Sequence, residues 1–454
     1  MRSGTKNNKT RGFLKGAAWI AVGGFTAKVI GALYRIPLTN LIGGRGLGLY
    51  QLVYPIYCLL LTVSATGIPS SIAKLTAERI AHGENDHAVL KTAMRLFIVI
   101  GLVGSLLMMV FAPYLAKAQQ SEEVLGGYYM LAPSVLLVSV ISVFRGWFQG
   151  KNNMFPTAVS EVTEQLVKVG VGLFFAYRLQ ENMPKAVVFL LLAVSISELV
   201  TLLLMLGFYR RVKEPKKQKD GGMVEMKRIL KLSIPLTFSS MVLPLSGLLD
   251  SVLAPRLLGE YATDAVALYG LFAGGAVTVI NLPVSVCYGI AAASVPRVAT
   301  EVSKGSGKKV RKRIFQSLGL TALLGGLSAL GLYFFAETAV KIVYRNLQGD
   351  ELKTLTELIR GFSVSALTLA CVQTLSACLT AQGKPQHAAL SMTVAMVIKT
   401  GLYYFWLQDP ACSVFGLVYA TNIAYGVAFL FELLYNLRAT RKKRKRPSVK
   451  HSST

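Results

Sequence analysis

Apolar runs of about 20 residues recur along the whole chain with short polar breaks between them, and that is the length a helix needs to cross roughly 30 Å of hydrocarbon. Lipid offers no partner to an open backbone amide, so runs of this kind fold as membrane-spanning helices. Twelve spans are expected, at 13–38, 47–72, 92–115, 124–147, 155–178, 186–209, 229–256, 264–296, 314–338, 357–381, 386–407 and 412–437. Composition agrees: 53% of the 454 residues are hydrophobic and only 16% are charged, too few to solvate a soluble domain. The expected class is an all-α integral membrane protein.

A net charge of +27 raises the question of nucleic acid, and the placement of the charges answers it. With the N-terminus inside, roughly three quarters of the 49 Lys and Arg fall on the cytoplasmic side of the twelve spans, which puts both termini in the cytoplasm. The segment RKKRKR, 441–446, reads as a topology determinant and an anchor for anionic lipids, not as a nucleic-acid patch. GSGKK at 305–309 lacks the earlier glycine and the following Ser/Thr of a phosphate-binding loop. The five cysteines show no CxxC spacing and the four histidines no ligand cluster, so no metal, no cofactor and no enzymatic activity are expected.

Residues 211–226, RVKEPKKQKDGGMVEM, form the longest polar break and divide six spans from six. Sequence echoes recur across it in order: LKG at 14–16 and LKL at 230–232, LYQL at 49–52 and LYGL at 268–271, QGK at 149–151 and QGK at 382–384. With a two-residue deletion after the last pair, Ser160, Lys168 and Gly170 align with Ser391, Lys399 and Gly401. This pattern predicts a duplicated unit: an N-terminal six-helix bundle at 1–210, a cytoplasmic linker at 211–226, a C-terminal six-helix bundle at 227–438 and a basic tail at 439–454. Two parallel bundles enclose a central cavity, the usual seat of a transported substrate and the basis of alternating access.

Charges inside the spans are the candidate functional groups, because an ionised side chain at a helix centre costs roughly 2.5 to 3.5 kcal/mol on insertion scales. In EVTEQLVKVG, 161–170, Glu161, Glu164, Gln165 and Lys168 share one face of a helix. Glu164 and Lys168 stand at i and i+4 in the favourable order, so the stripe is either an internal salt bridge that holds two helices together or the wall of a water-accessible cavity. Lys28 and Arg35 lie in the first span and Lys399 in the eleventh. The positions aligned with Glu161 and Glu164 are Met392 and Ala395, so no carboxylate stands one turn before Lys399. That lysine must snorkel, lose its proton, find a partner on another helix or bind an anion. Asp250 and Glu198, in the seventh and sixth spans, are candidate ion-coupling carboxylates. Prolines 235, 244, 255, 283 and 296 predict kinks in the seventh and eighth spans.

FRGWFQGKNNMFPTAVSEVTEQLVKV, 144–169, and AKVIGALYRIPLTNLIGGRGLGLYQLVYPI, 27–56, resemble the multidrug/oligosaccharidyl-lipid/polysaccharide exporter superfamily, in its branch of sporulation proteins and lipid II flippases. The resemblance implies a MATE-like fold in the plasma membrane and a flippase for an undecaprenyl-pyrophosphate-linked saccharide, a precursor of peptidoglycan or another envelope polymer. It assigns the pyrophosphate to basic residues of the first span, here Lys28 with Arg35 nearby, and cation coupling to Asp250. Na⁺ or H⁺ would be the coupling ion, and envelope-synthesis enzymes are candidate partners. The alternative within the same superfamily is a multidrug cation antiporter, whose cavity should be acidic and aromatic.

Overall fold

The computed structural model describes residues 3–65, 67–212 and 222–442. Among them, helices follow one another and no strand occurs. The first helix, α1 (Ser3–Ala65), has 63 residues and would measure about 95 Å if straight, three times the thickness of the hydrocarbon layer. It breaks at Gly43, whose φ of 63° lies in the left-handed region that a Cβ disfavours. The expected first and second spans are therefore two arms of one interrupted helix, and α2 (Ile68–Ala81) continues beyond Gly67.

Nine helical segments among the described residues are long and apolar enough to cross a membrane, against the twelve expected. The difference has two physical causes. The first of the nine, Val29–Ala81, takes in parts of two expected spans. Two others fall short for reasons of charge or length. Helix α5 (Phe155–Arg178) carries Glu161, Glu164 and Lys168. The expected span at 229–256 divides at Met241 into α7 (Gly222–Ser240) and α8 (Val242–Leu258). Pro244 falls in the first turn of α8, where the missing amide donor would have had no partner anyway. Pro283 and Pro296, by contrast, sit inside α10 (Val277–Ser303), which comes after short α9 (Ala265–Gly270) and runs on through both.

Packing divides the chain into two units, residues 1–259 with 264–270 and residues 260–263 with 271–454. This division and the polar stretch at 211–226 differ by α7 and α8. Helix α8 groups with the first unit because Gly247 lies against Pro55 of α1, and the Gln119 amide donates to Ser251 Oγ at 3.3 Å. Residues 213–221 of the expected linker and 443–454 of the basic tail lie outside the described residues.

In the first unit, Phe144, Trp147 and Phe148 of α4 (Leu125–Gly150) pack on Ile68, Ile72 and Leu75 of α2 and on Val89 and Phe97 of α3 (His87–Ala118). Small residues allow this approach, since lipid supplies no hydrophobic drive between helices and van der Waals contact must do the work. A Cβ on Gly146 would come within 2.8 Å of Pro69 Cα, and one on Gly150 within 2.6 Å of Thr76 Cβ. Gly23 of α1 meets Ala158 of α5 in the same way, at 2.7 Å from its Cβ.

In the second unit, α10, α11 (Gly307–Phe334) and α13 (Gly349–Ala381) share a core of Val298, Ile314, Cys371, Leu375 and Cys378. Short α12 (Ala336–Val343) follows α11, and α14 (Pro385–Trp406) packs on α15 (Phe415–Lys442). Buried polar groups join α13 to α15: Ser376 donates to Glu432 at 2.7 Å and Gln382 to Asn436 at 2.7 Å.

The internal echoes are corrected in one detail. After α4 the amides of Lys151, Asn152 and Asn153 reach back to Trp147, Gln149 and Phe148, and after α13 those of Gln382, Gly383 and Lys384 reach back to Cys378, Thr380 and Leu379. Asn152 and Gly383 both take positive φ. The two turns thus match in the same register that pairs Ser160 with Ser391, and no deletion is needed. The QGK pair is two residues out of that register.

Candidate functional site

Four helices of the first unit converge on one cavity of about 320 Å³, and each brings it a polar side chain. Helix α1 contributes Tyr54, Tyr57 and Cys58, which share a face at i, i+3 and i+4. The rings of Tyr50 and Tyr54 stack at 5.1 Å, and Tyr57 lies 5.7 Å from Tyr54, so one wall is an aromatic ladder. From α4 come Ser142 and Arg145, from α5 Glu164, Gln165 and Lys168, and from α6 (Met183–Arg210) Glu198.

Arg145 organises the floor. Its guanidinium donates to Glu164 Oε2 at 2.9 Å through Nη2 and to Ser160 Oγ at 2.9 Å through Nε. Both partners of the ion pair are largely buried, with side chains 14% and 19% exposed. The Gln165 amide also donates to Glu164, at 3.3 Å. The carboxylate that the helix spacing assigned to Lys168 is therefore held by an arginine from another helix.

This rearrangement defines the site. Lys168 lines the cavity with no carboxylate in ion-pair distance among the described residues, while Glu164, Glu198 and Arg35 all act on it through the field. Glu198 is almost fully buried, and its Oε2 accepts no hydrogen bond among the described residues. One completed ion pair, one ammonium and one carboxylate with an unused oxygen thus meet in a space large enough for a small polar group. The ammonium can hold an anion, and the carboxylate can take up a proton or a small cation.

The remaining candidates distribute as follows. Glu161 has its Oε2 against Gly24 of α1, facing the helix interface and not lining the cavity. Arg35 is half-buried on α1, has partners of its own, and couples electrostatically to Cys58 and Lys168. The side chain of Lys28 lies outside the described residues. Asp250 on α8 is half-buried, has partners and does not line this cavity. Lys399, in the second unit, is buried and sits over the Tyr403 ring, 5.6 Å from its centroid, among other contacts.

Sequence reading missed Arg145, the tyrosine ladder and Glu432. Arg145 looks like an interfacial residue if α4 ends at 147. The turn residues Asn152 and Asn153 were the signal that the helix continues and carries Arg145 more than a turn inside it. Glu432 reads as ordinary near a helix end, yet it is fully buried against Ser376.

A buried ion pair, a lysine and a further carboxylate in one cavity between long apolar helices are features of a membrane transporter, and the fold is that of one. It superposes on an inward-facing multidrug resistance MATE family transporter of the MOP superfamily with a TM-score of 0.76, at 15% identity over 92% of this chain and 96% of the other. On the lipid II flippase MurJ in an inward closed conformation the TM-score is 0.72, at 13% identity over 93% of this chain and 89% of the other. Stage V sporulation protein B of Bacillus subtilis (strain 168) is 26% identical over 421 residues, 89% of this chain and 79% of that protein.

The sequence profile of the polysaccharide biosynthesis proteins matches residues 13–300, and that of the MatE family residues 235–405. The chain is a multi-pass membrane transporter of the MOP superfamily and belongs to its polysaccharide biosynthesis protein family.

Proposed function

We propose that the protein is a flippase that moves an undecaprenyl-pyrophosphate-linked saccharide across the plasma membrane by alternating access. The observation that carries this reading is Lys168, an ammonium in a polar cavity whose nearest carboxylate in sequence is engaged by Arg145. A cation in that position is stabilised by an anion, and a pyrophosphate offers several oxygens to it and to Arg35. Membership of the polysaccharide biosynthesis protein family supports a cargo that carries a saccharide.

Energy would come from an ion gradient or the membrane potential, worth roughly 2.3 kcal/mol per charge per 100 mV. Glu198 is the coupling group best placed, because it shares the cavity with Lys168 and retains an unused oxygen. In this reading a proton or Na⁺ taken up by Glu198 changes the field at Lys168, which links occupancy of the carboxylate to binding of the anionic head. Asp250, Lys28 and Lys399 remain proposed contributors, Asp250 to coupling and the lysines to the pyrophosphate.

A second reading, an antiporter of organic cations, is favoured by Tyr54 and Tyr57 beside Glu164 and Glu198. Reconstitution into vesicles separates the two. Flipping of a lipid-linked saccharide that Lys168→Ala abolishes supports the first; gradient-driven export of a lipophilic cation by wild type, without movement of any lipid-linked sugar, would establish the second.

A further inference from the structure

The second unit carries a separate groove of about 580 Å³ between α10 and α11. Its α10 wall is Val286, Gly289, Ala293, Ser294 and Arg297, a single helix face at spacings of three and four. Arg313, Gln316 and Leu320 form the facing wall on α11. The groove exists because Gly289 and Ala293 withhold side-chain volume: a Cβ on Gly289 would meet nothing within 4 Å.

The groove is polar at one end and apolar at the other. Arg297 lies six residues before the end of α10 at Ser303, and Arg313 six residues after the start of α11 at Gly307. Both residues therefore sit about 9 Å along their helices from the turn that joins two membrane-crossing segments, a depth that suits the headgroup region. Neither forms an ion pair among the described residues, no carboxylate lines the groove, and the contact Arg313 does make is a donation to Gln316 at 3.2 Å. Farther along, Val286 and Leu320 are 66% and 50% exposed and leave an open apolar channel.

From two unneutralised guanidinium groups above an apolar channel floored by small residues, we infer that this groove binds an anionic phospholipid of the surrounding bilayer. The headgroup phosphate sits between Arg297 and Arg313, and an acyl chain lies over Gly289 toward Val286 and Leu320. Arginine is suited to the task, since its planar fork meets phosphate oxygens in pairs. None of these residues belongs to the cavity around Lys168, so the inference stands apart from the transport reading.

The test is lipid retention by the purified full chain, read by native mass spectrometry and by the thermal unfolding midpoint. Phosphatidylglycerol, phosphatidylcholine, inorganic phosphate and a polyprenyl pyrophosphate are titrated separately. Wild type should retain phosphatidylglycerol at a concentration about thirtyfold below that required by the Arg297→Ala/Arg313→Ala double variant. Phosphatidylcholine and inorganic phosphate should leave wild type unshifted. Gly289→Leu, which fills the floor while both arginines remain, should weaken phosphatidylglycerol retention as well. Equal retention by wild type and the double variant overturns the inference. Stabilisation by inorganic phosphate alone would make the groove an anion site without a lipid, and preference for the polyprenyl pyrophosphate would assign it to cargo; either result also overturns it.

Discussion

Arg145, Glu164, Lys168 and Glu198 are the charged residues that line the cavity, and each carries its own prediction. Arg145 and Glu164 are load carriers of the structure: removing one partner of a buried, hydrogen-bonded pair typically costs about 3 to 5 kcal/mol because the other charge is left stranded. Arg145→Ala should therefore lower the unfolding midpoint in detergent sharply, whereas the Arg145→Ala/Glu164→Ala double variant should recover part of the loss. If the double variant is no more stable than the single one, the pair is not coupled as described. Lys168 should behave in the opposite way. With no ion pair to a described residue to break, Lys168→Ala should keep its abundance and midpoint yet lose flipping, and Lys168→Arg should retain part of it. Vesicle transport at wild-type rate in Lys168→Ala would remove the anion role. The polar stripe at 161–168 was legible from helical spacing alone, but its pairing was not. Spacing along one helix fixes which residues share a face, and the partner that took Glu164 arrived from α4, which no spacing rule within α5 can reveal.

Helices here are joined by small residues and broken by glycine and proline, which gives the elements their own predictions. Gly43 turns a 63-residue helix into two arms, and Gly43→Ala places a Cβ in positive-φ, extended-ψ backbone that is essentially glycine's alone, at about 1 to 3 kcal/mol. A lower unfolding midpoint than wild type is expected, and an unchanged one would mean that the kink tolerates a side chain. Gly150→Leu should be worse, because the added atoms meet Thr76 and the Ala73 carbonyl on α2 and force two helices apart. Its readout is loss of folded protein on size-exclusion chromatography, with Gly170→Leu, where a Cβ meets nothing within 4 Å, as the silent control. Apolar runs read from sequence located most helices well. They missed the division at Met241 and merged poorly with α1, because hydropathy reports what a segment can sit in and not where its axis turns. The fifth helix shows the same limit from the other side: its charges lower its hydropathy although it packs among α1 and α6 like its neighbours.

The transporter as a whole is expected to couple its cargo to an ion through the carboxylates that the two candidates represent. Glu198→Gln should leave a protein whose flipping no longer responds to an imposed pH or Na⁺ gradient, measured in vesicles with each gradient set separately. Asp250→Asn, away from the cavity, should preserve that response if Glu198 is the coupling group, and should abolish it if the coupling resides on α8 instead. Membrane character, helical class and family membership were determined by the sequence by itself, since they depend on the number and length of apolar runs and on motifs continuous along the chain. Which charges meet was decided only by the tertiary structure. Arg145, Lys168 and Glu198 come from three helices, and the field between them depends on distances that exist only once α4, α5 and α6 have packed.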